Sequence, residues 1–486
     1  MRLIDLLSKN NNQNKSAILS NKIKLTYLEF EGKISSIQEE LLILGVGRQN
    51  KVAILSENSL DYVALIFALW RIGAIPVPMN VKLLPKEIEK QIEISNCRFL
   101  LLGNSINDKI KIDNVIIARM PASSKKSNIK FEEDIEFSVE NTAVIIFTSG
   151  STGMPKGVEL SFNNLIQSAM TGDKIFKHRQ NDRWLASLPF YHVGGFSIIT
   201  RCFIYGAALI IPDSLEIESL KDSIENLQPT LASFVTTQLK RLIECGCKPN
   251  KEIRHILLGG GFMDPSLVGT AINEGWNVSK SYGTSETASF VTALTADEFK
   301  LKPHSAGKAI PPNEILIVDE NRNPLTSMQL GEVVVKAQSV SKGYIGNKEE
   351  SVKKFKKDIF YSGDYGYLDT EGYLFIEARR NDLIVSGGEN INPFEIEKEI
   401  LSHQNIEEVC VFGMKDEEWG QAVAAAIVTK DKSVISLNEL KDFLKNKLPG
   451  YKHPKKIFIL EMLPKTEIGK VQKEKVRELI NNKQVL

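Results

Sequence analysis

Residues 145–161 read IIFTSGSTGMPKGVELS. An apolar run ends at Thr148, and Ser149, Gly150, Ser151, Thr152, Gly153, Lys156 and Gly157 follow closely. Glycines let a backbone approach an anion, hydroxyls donate to phosphoryl oxygens, and a lysine adds a mobile positive charge. The stretch reads as a phosphate-binding turn placed directly after a buried strand. It is not the nucleotidase P-loop, which needs a glycine just before the lysine and a hydroxyl residue just after it. Pro155 and Gly157 hold those positions. A solvated Ser/Gly turn is the plainer alternative.

Around this stretch, AVIIFT (143–148), AALIIP (207–212) and RHILLG (254–259) read as buried strands. DYVALIFALWRIG (61–73) and SLKDSIENL (219–227) read as helices. The alternation predicts a layered α/β architecture. Near residue 380 the texture changes. ARRNDLIVSGGENINPFEIEKEIL (378–401) is a charged turn, an apolar strand, Gly387-Gly388, and then Pro393 near the start of a helix. Two strands (EVCVFGM, AVAAAIVTK), a helix (SLNELKDFLKNKL) and a basic tail follow. This predicts a large multi-layer N-terminal domain of mixed sheets and helices over 1–380. A small α+β C-terminal domain follows over 381–486, with a polar hinge at 379–382.

Bulk properties exclude several function classes. The 486-residue chain has a formal net charge of +1, which offers no field for nucleic acid or an anionic membrane. MRLIDLLSKNNNQNK at the start lacks the apolar core of a signal peptide. FSIITRCFIYGAALIIP (196–212) approaches membrane-spanning length but contains Arg201 and Gly206, so it reads as a buried helix followed by a strand, with no stable membrane insertion. Five scattered cysteines (Cys97, Cys202, Cys245, Cys247, Cys410) form no C-x-x-C pair. They predict reduced, buried thiols in a cytoplasmic protein, without disulfides or zinc. Assembly into a homo-oligomer is left open.

The chain resembles the adenylate-forming enzymes, the superfamily of acyl-CoA synthetases, luciferases and peptide-synthetase adenylation domains. FTSGSTGMPKG is similar to their signature loop, and five further motifs follow in the family's order. They are LPFYHVGG (188–195), SYGTSETAS (281–289), YSGDYGYLDTEGY (361–373), ARRNDLIVSGGENINPFEIE (378–397) and LPKTEIGKVQK (463–473). Six motifs in order over most of the chain make a specific signal.

The resemblance implies a two-step reaction on ATP, a small-molecule carboxylate and coenzyme A, with Mg²⁺. It implies that Lys470 bridges the α-phosphate and the carboxylate, and that Glu286 helps hold the metal. Thr148, Ser149, Gly150, Ser151, Thr152, Gly153 and Lys156 would cradle phosphates. Gly259, Gly260 and Gly261 would lie along the adenine, with Tyr282, Gly283 and Ser285 at the α-phosphate end. Asp364 would accept hydrogen bonds from the ribose hydroxyls and Arg379 would support the nucleotide. His192 would border the acyl and pantetheine channel, and it joins Lys470 and Glu286 among the catalytic expectations. Ser289 closes the third motif on the substrate side. Ser285 and Ser362 replace the family's threonines and keep the hydroxyl. Asn381 replaces a more usual aspartate or lysine at the hinge, about which the mobile C-terminal domain would turn between the half-reactions.

Arg201 points to the acid. It stands in an apolar run, and no acidic residue occurs between Asp182 and Asp213. A buried arginine is costly unless paired. Its partner is either a distant protein carboxylate or a second carboxylate on the substrate, held bidentately. The second option suits a dicarboxylic aromatic acid better than a fatty acid. The stretches WLASLPFYHVGGFSIITRCFIYGAAL and LASFVTTQLKRLI resemble ligases of that kind, which implies that Arg201 binds the ring carboxylate with Ser233 nearby. Relatives more often carry proline where this chain has Thr236. Other acyl-CoA ligases and a non-catalytic nucleotide-binding module are the alternatives. Lys470, Glu286 and Asp364 argue against the module, and a peptide-synthetase unit is disfavoured because no carrier segment follows Leu486.

Overall fold

The computed structural model describes residues 13–106, 110–122, 138–148, 155–260, 263, 265–379, 384–386, 389–391, 393–416, 420–445, 447–448, 450–466, 469 and 471–483. The chain divides into two compact units. The first comprises residues 1–315 with 334–361, and the second 316–333 with 362–486. The expected boundary at residue 380/381 falls outside the described residues.

Among the described residues the first unit contains a nine-stranded sheet, a four-stranded sheet and a two-stranded hairpin. Strands β1 (Ser16–Leu19) and β2 (Lys24–Thr26) begin one of them. Strands β3 (Lys51–Leu55), β4 (Ile75–Met79), β5 (Phe99–Leu102) and β6 (Ile116–Arg119) form a four-stranded parallel sheet in the order β4-β3-β5-β6. All its β3 to β5 positions but Lys51 and the flanking polar ends are apolar and buried, as a sheet covered on both faces requires. Strands β7 (Thr142–Thr148) and β8 (Lys156–Ser161) pair as an antiparallel hairpin, with Thr148 opposite Lys156. The larger sheet continues through β9 (Arg183–Leu185), β10 (Ala208–Ile210), β11 (Leu231–Phe234), β12 (His255–Leu258), β13 (Val278–Thr284), β14 (Ser289–Leu294) and β15 (Lys308–Ala309). Its nine strands run in the order β15-β14-β13-β12-β11-β9-β10-β1-β2. The middle pairings are parallel and both edges antiparallel.

Three helices position the site. Helix α1 (Leu60–Ile72) starts where the Ser59 side chain accepts from the Tyr62 N–H and stops at Gly73, whose φ of 76° suits glycine. Helix α2 (Phe162–Phe176) starts at Ser161 in a reciprocal cap with Asn164. Helix α3 (Val193–Tyr205) ends at Gly206 and leads into β10, as the apolar run 196–212 predicts. Phe30, Phe67, Trp70, Phe162, Phe196 and Phe203 join in the buried core where these helices meet the sheets. Among the described residues no helix is long and apolar enough to cross a membrane. All five cysteines are free, and Cys245 is exposed, a departure from the expectation that all are buried.

The second unit has its own core of Ile396, Ile400, Val411, Ile427, Leu440 and Leu444. The expected strands are Ile406–Asp416 and Gly420–Thr429, an antiparallel pair with Lys456–Ile459 added in parallel. Pro393 opens the helix Pro393–Leu401, and Leu437–Leu444 is the second expected helix. The unit also contains an antiparallel pairing in which Asp364 stands opposite Arg379.

Candidate active site

Strand register places a set of side chains on one face of the large sheet. Trp184 pairs with Leu231. Leu231 pairs with His255 and Ser233 with Leu257. Leu257 pairs in turn with Ser279. Residues in register on neighbouring strands face the same side. Trp184, Ser233, His255, Leu257 and Ser279 therefore share a face. Central strands of a covered sheet are normally Val, Ile and Leu throughout. Here Ser233 is 3% exposed and Ser279 0%, and neither hydroxyl has a hydrogen-bond partner among the described residues.

Helix α3 lays Arg201 against this face. Its guanidinium carbon lies 5.6 Å from the Trp184 ring and 4.8 Å from the Phe290 ring, in cation–π contact with both. The residue is 1% exposed, and Nε, Nη1 and Nη2 all lack a hydrogen-bond partner among the described residues. Two acids that precede α3 in the chain, Asp182 and Asp173, are engaged elsewhere. Asp182 accepts two hydrogen bonds from Arg254 Nη2, at 2.6 and 2.7 Å, and one from Thr230. Asp173 holds His178 at 2.9 Å. Burial pushes the Arg201 guanidinium down to about 9, and among the described residues no carboxylate counters it, so it remains charged near neutral pH. An unpaired buried cation is destabilising by several kcal/mol. A buried positive charge and two buried hydroxyls thus stand without hydrogen-bond partners among the described residues. Phe176 packs against Trp184, His255 and Phe290 at centroid distances of 5.0, 5.5 and 5.7 Å, which supplies an aromatic wall. Burial also lowers His178 and His255 to about 4, so both are neutral at working pH.

The end of β13 builds a second corner. At Gly283 a Cβ would stand 2.1 Å from the Ser289 carbonyl oxygen, so only glycine fits. A short turn, Ser285–Thr287, carries Glu286. Ala288 and Ser289 follow with φ of 54° and 114°, a strained pair of non-glycine residues. Strain of this kind persists where surroundings over-determine it. Ser168 donates to the Ala288 carbonyl at 2.7 Å, and Thr287 donates to that of Ser289 at 2.7 Å. The Tyr344 hydroxyl donates to Glu286 Oε1 at 2.8 Å, and the Ser341 N–H donates to the Glu286 carbonyl at 2.7 Å. The second carboxylate oxygen of Glu286 suits a hard cation that takes its other oxygens from phosphates and water. Among the described residues no group of three His, Cys, Asp or Glu could hold a metal alone.

The remaining expectations fall out as follows. Gly259 donates its N–H to the Phe234 carbonyl at 3.2 Å, and Gly260 adopts a φ of 94°. Tyr282 keeps its main-chain place opposite Thr292, whose hydroxyl accepts from its N–H at 3.2 Å. Thr148 and Lys156 form the neck of the hairpin, and Lys156 makes a 2.7 Å ion pair with Glu350. His192 is half-buried at the N-cap of α3, with its ring 4.7 Å from that of Tyr191. In the second unit Asp364 is 4% exposed, and its N–H donates to Ser362 Oγ at 3.0 Å. Ser149, Gly150, Ser151, Thr152, Gly153, Gly261, Asn381 and Lys470 lie outside the described residues, as does the side chain of Arg379.

The structure brings Arg201 and Ser233 together on one face, and Tyr282, Gly283, Ser285, Glu286 and Ser289 at one corner. Asp364 and Arg379 belong to the other unit. Sequence reasoning missed Ser279 and His255, which join this sheet face only through register. It also missed Asn58, which clamps the 188–195 motif. Its Nδ2 donates to the Leu188 carbonyl at 2.9 Å, and its Oδ1 accepts from the Phe190 N–H at 2.8 Å. No local signal marks a contact made across 130 residues.

Comparison with known proteins adds the following. Residues 8–345 match the model of the AMP-binding enzymes, and 395–470 that of the AMP-binding enzyme C-terminal domain. A 2-succinylbenzoate–CoA ligase of Geobacillus sp. (strain WCH70) is 33% identical over 469 residues, covering 96% of this chain and 95% of that protein. The o-succinylbenzoate CoA synthetase of Bacillus subtilis in complex with the acyl-adenylate intermediate OSB-AMP superposes with a TM-score of 0.89 at 31% identity, over 97% and 96% of the two chains. The same enzyme with ATP and magnesium ion gives 0.87 at 31% identity, over 97% and 98%.

Proposed function

The chain belongs to the family of AMP-binding enzymes, and on that premise we propose that it is an ATP-dependent 2-succinylbenzoate–CoA ligase. The observation that carries the substrate is Arg201, a buried guanidinium whose three nitrogens have no partner among the described residues. It shares its sheet face with the unpartnered hydroxyls of Ser233 and Ser279. 2-Succinylbenzoate carries two carboxylates. The aliphatic one reacts, and the one on the ring supplies the missing anion. Placed on Arg201 it gains charge-assisted hydrogen bonds in a dry setting. The aromatic wall of Phe176, Trp184 and Phe290 suits the ring that bears it.

In the first half-reaction the succinyl carboxylate oxygen attacks the α-phosphorus of ATP, the bond to the β-phosphate oxygen breaks, and pyrophosphate leaves. The thiol of coenzyme A then attacks the acyl carbon, the acyl–oxygen bond to AMP breaks, and the thiol proton passes to solvent. Both partners of the first step are anions, so cationic positioning dominates. Lys470 supplies that charge at the reacting oxygens and Lys156 at the phosphates. Mg²⁺, when bound, neutralises polyphosphate charge, and Glu286 is its protein ligand. His192 borders the acyl channel, and Ser285 and Ser289 bracket the turn that presents Glu286. Asp364 and Arg379 hold the nucleotide, and residues 381–486 act as a mobile domain about Asn381. The product feeds the making of a naphthoquinone, in a menaquinone or phylloquinone route.

The test is incubation of purified protein with ATP, Mg²⁺, coenzyme A and a panel of acids. AMP, pyrophosphate and 2-succinylbenzoyl-CoA are expected in equal amounts. A preference for fatty or simple aryl acids would refute the substrate and leave an acyl-CoA ligase of another kind.

A further inference from the structure

One short segment of the first unit, running from Ser341 to Ser351, grips the Glu286 turn and the neck of the phosphate hairpin. Ser341 donates its N–H to the Glu286 carbonyl at 2.7 Å, and the Tyr344 hydroxyl donates to Glu286 Oε1 at 2.8 Å. Glu286 is thus held by main chain and side chain from the same segment. Tyr344 also bridges to Val158 on β8, and its neighbour Ile345 donates an N–H to the Gly157 carbonyl at 2.8 Å. The Lys156 ammonium lies 5.2 Å from the Tyr344 ring centroid. The ring itself is fixed by an edge contact with Phe355 at 5.1 Å, and its main-chain N–H by Ser351 Oγ at 2.9 Å. A buried ring packed against Phe355 and Lys156 places its hydroxyl on one carboxylate oxygen.

We propose that Tyr344 is a positioning residue that presents Glu286 to the cation accompanying ATP. The proposal deepens the ligase reading and rests on it for the nucleotide. With one oxygen occupied by the tyrosine hydroxyl, the carboxylate is fixed in rotation and its other oxygen is aimed outward. Without the hydroxyl, the carboxylate turns freely and meets the cation only part of the time. Groups that orient a metal ligand are typically worth about 10–100-fold in metal affinity.

The test is Tyr344→Phe, which removes one oxygen and keeps the ring. Mn²⁺ binding to the full-length protein at saturating ATP is followed by electron paramagnetic resonance, without acid or coenzyme A. Binding of metal-free ATP and thermal unfolding are measured alongside. The expected result is a roughly tenfold weaker Mn²⁺ affinity, with metal-free ATP binding unchanged. Wild-type Mn²⁺ affinity in the variant would overturn the proposal. So would equal weakening of Mn²⁺ and metal-free ATP, which would mean that the hydroxyl only supports the fold. Absence of Mn²⁺ uptake by the wild type with ATP would overturn it too. Since no acid is present, a failure of the 2-succinylbenzoate assignment alone leaves these outcomes readable.

Discussion

In its proposed role Arg201 sets function against stability. Replacing it with methionine keeps an apolar stem of comparable length and removes an unpaired buried charge. Arg201→Met should therefore raise stability without ligand by about 1–4 kcal/mol, read as a higher urea midpoint. The same change should lower kcat/KM for 2-succinylbenzoate by about 10²–10³-fold, because truncating one side of a buried charge pair costs about 2–5 kcal/mol. A loss of stability instead would mean that a protein carboxylate pairs with the guanidinium. Nearby, His178 has a side chain 0% exposed and a pKa lowered by burial to about 4. The unfolded state then binds more protons between about pH 4 and the ordinary histidine value near 6.5. Its contribution is fully present above that value and lost as pH falls towards 4, by at most about 3 kcal/mol. Urea unfolding at about pH 7.5 and about pH 5 should show a smaller acid loss in His178→Gln than in the wild type. Arg201 was legible in the sequence because a charge in an apolar run is anomalous by itself. His178 and His255 were not, since an isolated histidine carries no sign of whether it will be dried out by Phe176 and Trp184.

At the scale of elements, the sheet makes the site through register. Ser233 and Ser279 stand 46 residues apart in the sequence. They reach one face because β11, β12 and β13 are parallel and in step. Periodicity identifies the strands and not which strands become neighbours, so Ser279 stayed invisible while the strands themselves were readable. The turn after β13 was readable as a motif. Its physical reason, the 2.1 Å approach of a would-be Gly283 Cβ to the Ser289 carbonyl, arises only in the folded chain. Gly283→Ala should force β13 and β14 apart. We expect a cost of about 1–3 kcal/mol by denaturant unfolding, with weakened Mn²⁺ binding because the Glu286 turn moves with the strand. Unchanged metal binding would show that the turn is set elsewhere.

Over the whole molecule, the chain folds as two units with separate cores. Each motif is a contiguous turn whose chemistry demands particular residue types, so the large α/β unit, the small C-terminal unit and the nucleotide reading all follow from the linear chain. Which strands adjoin, and which side chains meet across long separations, depends on tertiary packing and does not. In the proposed mechanism Lys470, in the C-terminal part of the chain, serves the adenylation step alone. Lys470→Ala should slow pyrophosphate release by about 10²–10³-fold. Thioester formation from synthetic acyl-adenylate and coenzyme A should stay near the wild-type rate. Equal loss in both half-reactions would remove the division of labour.

The most direct measurement compares 2-succinylbenzoate with 4-oxo-4-phenylbutanoate, the same molecule without its ring carboxylate, as substrates for acyl-CoA formation. The wild type should favour the diacid by about 10²-fold or more in kcat/KM, and Arg201→Met should treat the two nearly alike. Equal use of both acids by the wild type would contradict the assignment of the buried guanidinium to the second carboxylate.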